Sequence, residues 1–272
     1  MADLLLIHGA GHGAWCWHRL IPALDHLGHN PHAIDLPGRG GAATTLDAQA
    51  RAILADLTGP TILLAHSAAG YPASRAAHLD DSKIAALIHL ATWLPQPGRS
   101  LADLRRAWPG NPLGPALRLS ADRRAYSFDP AMTETLFYHD CPPEDRALAA
   151  RHLCPEPRAP HETPFPDGTT NRPQFYIRCS EDRAIPPAQQ AEMAAALPPE
   201  NRLDLPASHS PFFSRPGDLA RIGTGDARRL QPPIDQQIAG LNPLVLAVAQ
   251  TIEELVHADF IVFGGSGRGF AY

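Results

Sequence analysis

The stretch Thr61-Ile62-Leu63-Leu64-Ala65-His66-Ser67-Ala68-Ala69-Gly70 decides how the rest of the chain is read. A β-branched and apolar run leads into His66-Ser67, and a series of small residues follows. The pattern predicts a buried strand over 61–66, a sharp turn at Ser67, and an alanine-rich helix over 68–79. Small neighbours have a physical reason at such a turn, because they let strand and helix approach closely. The turn exposes the Ser67 hydroxyl, and the first N–H groups of the following helix point at whatever it meets. The usual form of this motif is G-x-S-x-G; here it is A-x-S-x-A, with Ala65 and Ala69 in the glycine positions. The same residues also describe the plain start of a small-residue helix, so the rest of the chain has to carry the reading.

Working outward, residues 3–7 read as a short buried strand, followed by the glycine-rich turn His8-Gly9-Ala10-Gly11-His12-Gly13. Apolar spacing predicts a helix from Trp17 to Gly28, a strand from Pro31 to Asp35, and a helix face through Leu46, Ala50, Ile53, Leu54 and Leu57. Beyond the serine turn come a continuous apolar strand at Ile84–Ala91, a strand at 174–179, a helix near 187–197 and a strand at 201–205. Strands alternating with helices predict an α/β protein with a mostly parallel sheet of about six strands and helices on both faces. Ligands bind such sheets at the carboxyl ends of the strands. His8 and Gly9, Ser67, Glu181 and Asp182, and His209 all fall there. Between 93 and 172 the alternation stops and turns, prolines and aromatics take over, so residues 1–92 and 173–222 read as the core and 93–172 as a cap insert. Residues 223–272 read as a C-terminal extension with no place in the sheet, containing one helix over Pro243–Ala258.

Composition narrows the function. The 272 residues suffice for one large α/β domain, and 44% hydrophobic content with 19% charged content marks a globular chain. A net charge of −5 and a single lysine, Lys83, give no footprint for nucleic acid. No apolar run has the length of a membrane span, and the run at Leu4–Ile7 is too short for a signal-peptide core. The cysteines Cys16, Cys141, Cys154 and Cys179 lack framework spacing, which favours a reduced, cytoplasmic protein. His139-x-Cys141 and His152-x-Cys154 are unlike the usual zinc pairs, and Arg105-Arg106 and Arg123-Arg124 read as solvated faces.

A serine hydroxyl is a weak nucleophile; it needs a base, and the base needs a carboxylate to fix its tautomer. The chain supplies nucleophile, acid and histidine in that order: Ser67, then Glu181-Asp182, then His209. Spacing alone does not separate Glu181 from Asp182, while Asp204 lies inside a strand. His8 and His66 read as residues that hold backbone or loops together. Taken together, "LLLIHGAGHGAWCW", "AIDLPGRG", "LLAHSAAG", "ATWLPQPGRS", "YIRCSEDRAIP" and "LPASHSPFFSRP" cover roughly residues 3–222. In them the chain resembles the α/β-hydrolase superfamily, and within it the plant methylesterases, hydroxynitrile lyases and bacterial pyrethroid-hydrolase-like esterases. The resemblance implies Ser67 as nucleophile, His209 as general base and acid, and Asp182 as the orienting carboxylate. It also implies an oxyanion hole from the backbone N–H groups of Ala10 and Ala68, and no metal or organic cofactor.

The lyases of this branch carry threonine where Gly9 stands and lysine where Ser210 follows the histidine, so these two positions favour an esterase. The expectation is a serine hydrolase that cleaves small-molecule carboxylic esters with a hydrophobic acyl or alcohol part. Nucleic acid and membrane are not expected as partners, and oligomeric state is left open, a homodimer included. Two other classes stay in view: a lyase or C–C-bond-cleaving member of the same fold, and a non-catalytic small-molecule binder.

Overall fold

Every second residue of the first strand turns to the opposite side of the sheet, and both sides are dry. Leu4 and Leu6 join one apolar cluster with Ile62, Leu64 and Ile88, while Leu5 and Ile7 join another with Leu63, Ala65 and Leu87. Such two-sided burial requires helices above and below. The computed structural model, which describes residues 1–168 and 170–224, supplies them.

Strand β1 (Asp3–Ile7) is followed by helix α1 (Leu20–His26), β2 (Asn30–Ile34), α2 (Leu46–Asp56), β3 (Thr61–His66), α3 (Gly70–Leu79) and β4 (Ile84–Leu90). The chain then builds α4 (Leu101–Ala107), β5 (Leu117–Leu119), β6 (Ala125–Phe128), α5 (Pro130–Phe137), α6 (Pro143–His152), β7 (Glu156–Pro157) and α7 (Arg158–Glu162). It returns with β8 (Gln174–Cys179), α8 (Pro187–Ala194), β9 (Arg202–Leu205), α9 (Pro211–Ser214) and α10 (Pro216–Gly223). The main sheet has six strands in the order β2-β1-β3-β4-β8-β9, all paired in parallel. This is an α/β-hydrolase fold. Helices α2 and α3 pack together on one face, where Ala50, Ile53, Ala73 and Ala76 meet Leu5 and Leu63. Helices α1 and α10 pack together on the other face through Leu20, Leu24, Leu219 and Ile222.

The chain between β4 and β8 stays out of this sheet and forms its own three-stranded antiparallel sheet, β5-β6-β7, with short helices around it. The helix expected from Trp17 to Gly28 is a 3-10 turn at Ala14–Trp17 followed by α1 from Leu20. Pro22 sets that start: it falls in the first turn of α1, where its missing N–H has no intrahelical acceptor to lose. The helix expected over Pro243–Ala258, and all of the extension beyond Thr224, lie outside the described residues. No helix among the described residues is long and apolar enough to cross a membrane.

Candidate active site

Ser67 follows the last residue of β3 with φ at +53°, in the left-handed region. For an L-residue that conformation costs about 1–2 kcal/mol. Neighbouring packing holds it there. The Trp93 N–H donates to the Ser67 carbonyl at 3.1 Å, and a β-carbon on Gly70 would stand 2.4 Å from the Trp93 carbonyl oxygen. The closest approach thus falls at Gly70, one residue beyond the motif position filled by Ala69. On the other side, a β-carbon on Gly9 would come within 2.9 Å of both the Ser67 β-carbon and His66 Nδ1.

The loop after β9 brings His209 to this turn. Its Nε2 lies 3.0 Å from Ser67 Oγ, and its Nδ1 lies 2.7 Å from Asp182 Oδ2. A carboxylate can only accept, so Nδ1 carries the proton and Nε2 offers its lone pair to the serine hydroxyl. The histidine is 2% exposed and the serine 8%, so the pair is shielded from bulk water yet borders a cavity. Of the two adjacent carboxylates, Asp182 is the one that turns inward; Glu181 is exposed, and its carbonyl accepts from His139 Nε2 at 2.9 Å. Asp204 is exposed and ion-paired with Arg178 at 2.6 Å.

Asp182 is buried but fully supplied with donors. Its Oδ1 accepts from the N–H groups of Ala184 at 2.7 Å and Ile185 at 2.9 Å. Its Oδ2 accepts from Gln190 Nε2 at 2.8 Å as well as from His209. Gln190 was not singled out by the sequence; only its place on the buried face of α8, 8 residues after Asp182, connects it to the site.

Ala10, Ala68, Ser67, His66, His12 and His209 border one cavity of about 410 Å³. Ala10 sits in a tight turn closed by the His12 N–H to the Gly9 carbonyl at 3.2 Å, with Gly11 at φ +72°. No protein acceptor among the described residues takes the Ala10 N–H. The next peptide is clamped at both ends: the Ala10 carbonyl accepts from His12 Nδ1 at 3.0 Å, and the Gly11 N–H donates to Glu156 Oε2 at 2.9 Å. Tyr138 donates its hydroxyl to His12 Nε2 at 2.7 Å. Burial pushes His12 down to about 3, and it drives His66 well below the ordinary histidine value, with the charge of His209 adding to the effect. His66 donates Nε2–H to the His209 carbonyl at 2.8 Å, and His8 donates to the Gly9 carbonyl while accepting from the Leu36 N–H. Both therefore hold backbone, in keeping with their sequence reading.

The four residues of the two His-x-Cys pairs have separate engagements: His139 on the Glu181 carbonyl, Cys141 near Ser208, His152 against the Trp15 ring, and Cys154 near the Gly11 carbonyl. Among the described residues no group of three or more metal-ligating side chains comes together. One sequence expectation needs correction. Arg105 does not belong to a solvated face; it shares a side of α4 with Leu101 and Ala102, and all three border the cavity. Residues four apart lie on the same side of a helix, so the inward turn of Leu101 carries Arg105 with it.

The sequence profile of the Alpha/beta hydrolase family matches residues 4–222. The chain is 33% identical over 241 residues to the pyrethroid hydrolase of Sphingobium wenxiniae, a match covering 81% of this chain and 85% of that protein. Two Arabidopsis thaliana proteins that carry the names of chloroplastic methylesterases 15 and 13 are 34% and 31% identical, and this chain spans about half their length, 55% and 54%. Among solved structures, the pyrethroid hydrolase of Sphingobium faniae JZ-2 superposes with a TM-score of 0.73 at 28% identity, over 84% of this chain and 98% of that one. Family profile, sequence relatives and backbone superposition agree, and the chain belongs to the Alpha/beta hydrolase family.

Proposed function

We propose that the protein is a serine esterase in which Ser67, His209 and Asp182 act as one unit. The observation that carries the reading is the unbroken line Ser67 Oγ, His209 Nε2, His209 Nδ1, Asp182 Oδ2, with separations of 3.0 and 2.7 Å at its two hydrogen bonds. Ser67 attacks the ester carbonyl as its proton passes to His209 Nε2. The imidazolium that forms is stabilised by Asp182, which keeps its proton-free state throughout. The N–H groups of Ala10 and Ala68 receive the negative oxygen of the tetrahedral intermediate; losing one such donor typically costs on the order of 10²–10³ in rate. Collapse breaks the carbonyl–alkoxy bond, and His209 returns the proton to the leaving alcohol. Water, deprotonated by the same nitrogen, attacks the acyl-enzyme; the acid departs and Ser67 regains its proton. Every step uses groups of this chain, so the mechanism calls for no metal or organic cofactor.

The segment 93–172 serves as the cap in this reading, over a core of 1–92 and 173–222. Trp93, Phe128 and Phe137 give the cavity wall an apolar part that suits a hydrophobic acyl or alcohol group. The names of the relatives, methylesterases and a pyrethroid hydrolase, point the same way toward small-molecule carboxylic esters. The four free thiols support a reducing, cytoplasmic setting.

The test is hydrolysis of p-nitrophenyl acetate, butyrate and octanoate by the wild-type chain beside Ser67→Ala, with fluorophosphonate labelling followed by mass spectrometry. Turnover and a label on Ser67, both absent from Ser67→Ala, are expected. A wild-type chain that takes no label overturns the reading.

A further inference from the structure

The cavity wall is cationic in a chain that is acidic overall. Arg105, Arg106 and Arg158 border it against one carboxylate, Glu162, while the net charge of the chain is −5. Most of these charges are already committed. Arg158 pairs with Glu162 and donates to the Arg123 carbonyl, and Arg106 pairs with Asp103 at 3.3 Å and with Glu162 at 3.7 Å. The neutral polar groups of the same wall are spent as well: Tyr126 meets His161 Nδ1 at 3.0 Å, and His161 Nε2 meets Glu156, behind the wall, at 3.2 Å.

Arg105 is the exception. Among the described residues it has neither an ion-pair partner nor a side-chain hydrogen bond, although it is half-buried and borders the cavity that contains Ser67 and His209. Burial lowers its basicity, with the nearby Arg106 adding to the effect and Tyr126 and Glu162 opposing it. A half-buried guanidinium whose fork of donors has no protein partner and borders the cavity is free to take a planar anion there through two parallel charge-assisted hydrogen bonds.

Building on the esterase reading above, we propose that Arg105 forms an anion subsite, so that the preferred ester carries a carboxylate on the part that reaches the cap wall. Its apolar stretch lies against Leu101, Phe128 and Phe137, and its carboxylate pairs with the Arg105 guanidinium. The substrate class is therefore the half-ester of a dicarboxylic acid, or an equivalent ester with one free carboxylate, in place of a wholly apolar ester.

The experiment compares p-nitrophenyl half-esters of glutaric, adipic and suberic acid with the p-nitrophenyl esters of the matching methyl-terminated acids, in wild type, Arg105→Met and Arg105→Lys. In wild type, at least one half-ester is expected to exceed its methyl-terminated match, chiefly through a lower KM. In Arg105→Met the ratio of kcat/KM between the two is expected to fall about 10- to 100-fold, with part restored by lysine. Each ratio is taken within one variant, so a partly unfolded preparation does not mimic the effect. A wild type that favours the methyl-terminated ester at every length, or a ratio unmoved by Arg105→Met, overturns the proposal. If no ester is turned over, calorimetric binding of adipate and suberate to wild type and Arg105→Met decides it: Arg105-dependent binding supports the subsite, and its absence overturns it. Fluorophosphonate labelling of Ser67 reports separately on the esterase reading.

Discussion

Gln190 donates its amide to the same oxygen of Asp182 that receives the His209 ring, at 2.8 Å against 2.7 Å. The same amide nitrogen also donates to the Ile185 carbonyl at 2.7 Å, and Gln190 Oε1 accepts from the Cys179 N–H at 3.0 Å. One fully buried side chain thus ties the end of β8, the turn after it and the carboxylate to a single helix position. Truncation leaves buried groups unpaired, which typically costs about 1–3 kcal/mol. Gln190→Ala is expected to lose about that much stability in urea unfolding. On the proposed mechanism kcat falls about tenfold as Asp182 loosens, with KM changed far less, and steady-state kinetics on one ester checks the split.

The clamp on the Ala10–Gly11 peptide yields a second prediction. Glu156, in β7, takes the Gly11 N–H, and so fixes the turn that carries the Ala10 N–H. Burial acts to raise the Glu156 pKa, but the hydrogen bond and charge of His161 and the Gly11 N–H together hold it below the usual carboxylate value. Glu156→Ala is expected to lower kcat about tenfold with a smaller change in KM, a fraction of the loss caused by removing an oxyanion donor outright. Glu156→Gln keeps an acceptor for Gly11 and is expected to retain most of kcat. Equal losses in the two variants would show that the carboxylate charge, rather than the acceptor, matters.

The third prediction concerns acid. His8, His12 and His66 are buried and shifted down, His12 to about 3, because burial penalises their charged forms. In the unfolded chain a histidine titrates near about 6.5. Between that value and the folded one, the unfolded state binds more protons, so stability rises with pH and is lost as pH falls. Unfolding free energy is therefore expected to decline from about pH 6.5 downward, above the range in which carboxylates titrate. His12→Asn removes one titrating group while retaining an amide donor for the Ala10 carbonyl. Its stability is expected to fall less steeply between about pH 6.5 and 4, as read from urea midpoints at a series of pH values.

What the sequence disclosed and what it hid divide along physical lines. Strands β1 and β3 were legible because a short apolar run bounded by turns has few other uses, and β8 because its aromatic and apolar centre resumes the alternation; the spans of all three match the expected ones. Ser67, His209 and the Glu181-Asp182 pair were legible because each follows a strand at the end where such sheets bind ligands. Spacing left Glu181 and Asp182 open and the resemblance implied Asp182; in the structure Asp182 meets His209 Nδ1 while Glu181 is exposed. Gln190, Glu156 and Tyr138 were hidden for another reason: each works through individual side-chain hydrogen bonds, and such contacts leave no period in a sequence. Arg105 was misread beside Arg106 because a pair of adjacent charges reads as a solvated face, whereas the side of α4 that Arg105 takes is set by Leu101 four residues before it, and both border the cavity.

The last prediction separates the esterase reading from a lyase at Gly9. The hydroxynitrile lyases that the sequence resembles place threonine at this position, yet the space here is closed even to a methyl group. A β-carbon would stand 2.9 Å from the Ser67 β-carbon, 2.9 Å from His66 Nδ1 and 3.2 Å from the His66 carbonyl oxygen. Two of these contacts are with the strained turn itself, which has no freedom to withdraw: β3 is paired on both sides, and Trp93 holds the Ser67 carbonyl. Gly9→Ala is therefore expected to destabilise the fold by about 1–3 kcal/mol, the usual cost of forcing extra bulk into a packed interior. It should also move Ser67 off His209, because the obstructing atom is the serine's own β-carbon. A displacement of about 1 Å can cost on the order of 10² in rate. The expected result is kcat/KM reduced about 100-fold for p-nitrophenyl butyrate, with fluorophosphonate labelling of Ser67 slowed in parallel, and no mandelonitrile cleavage from Gly9→Ala or Gly9→Thr. Mandelonitrile turnover by Gly9→Thr would show that the turn can give way, and that this position, more than the missing lysine after His209, separates this chain from a lyase.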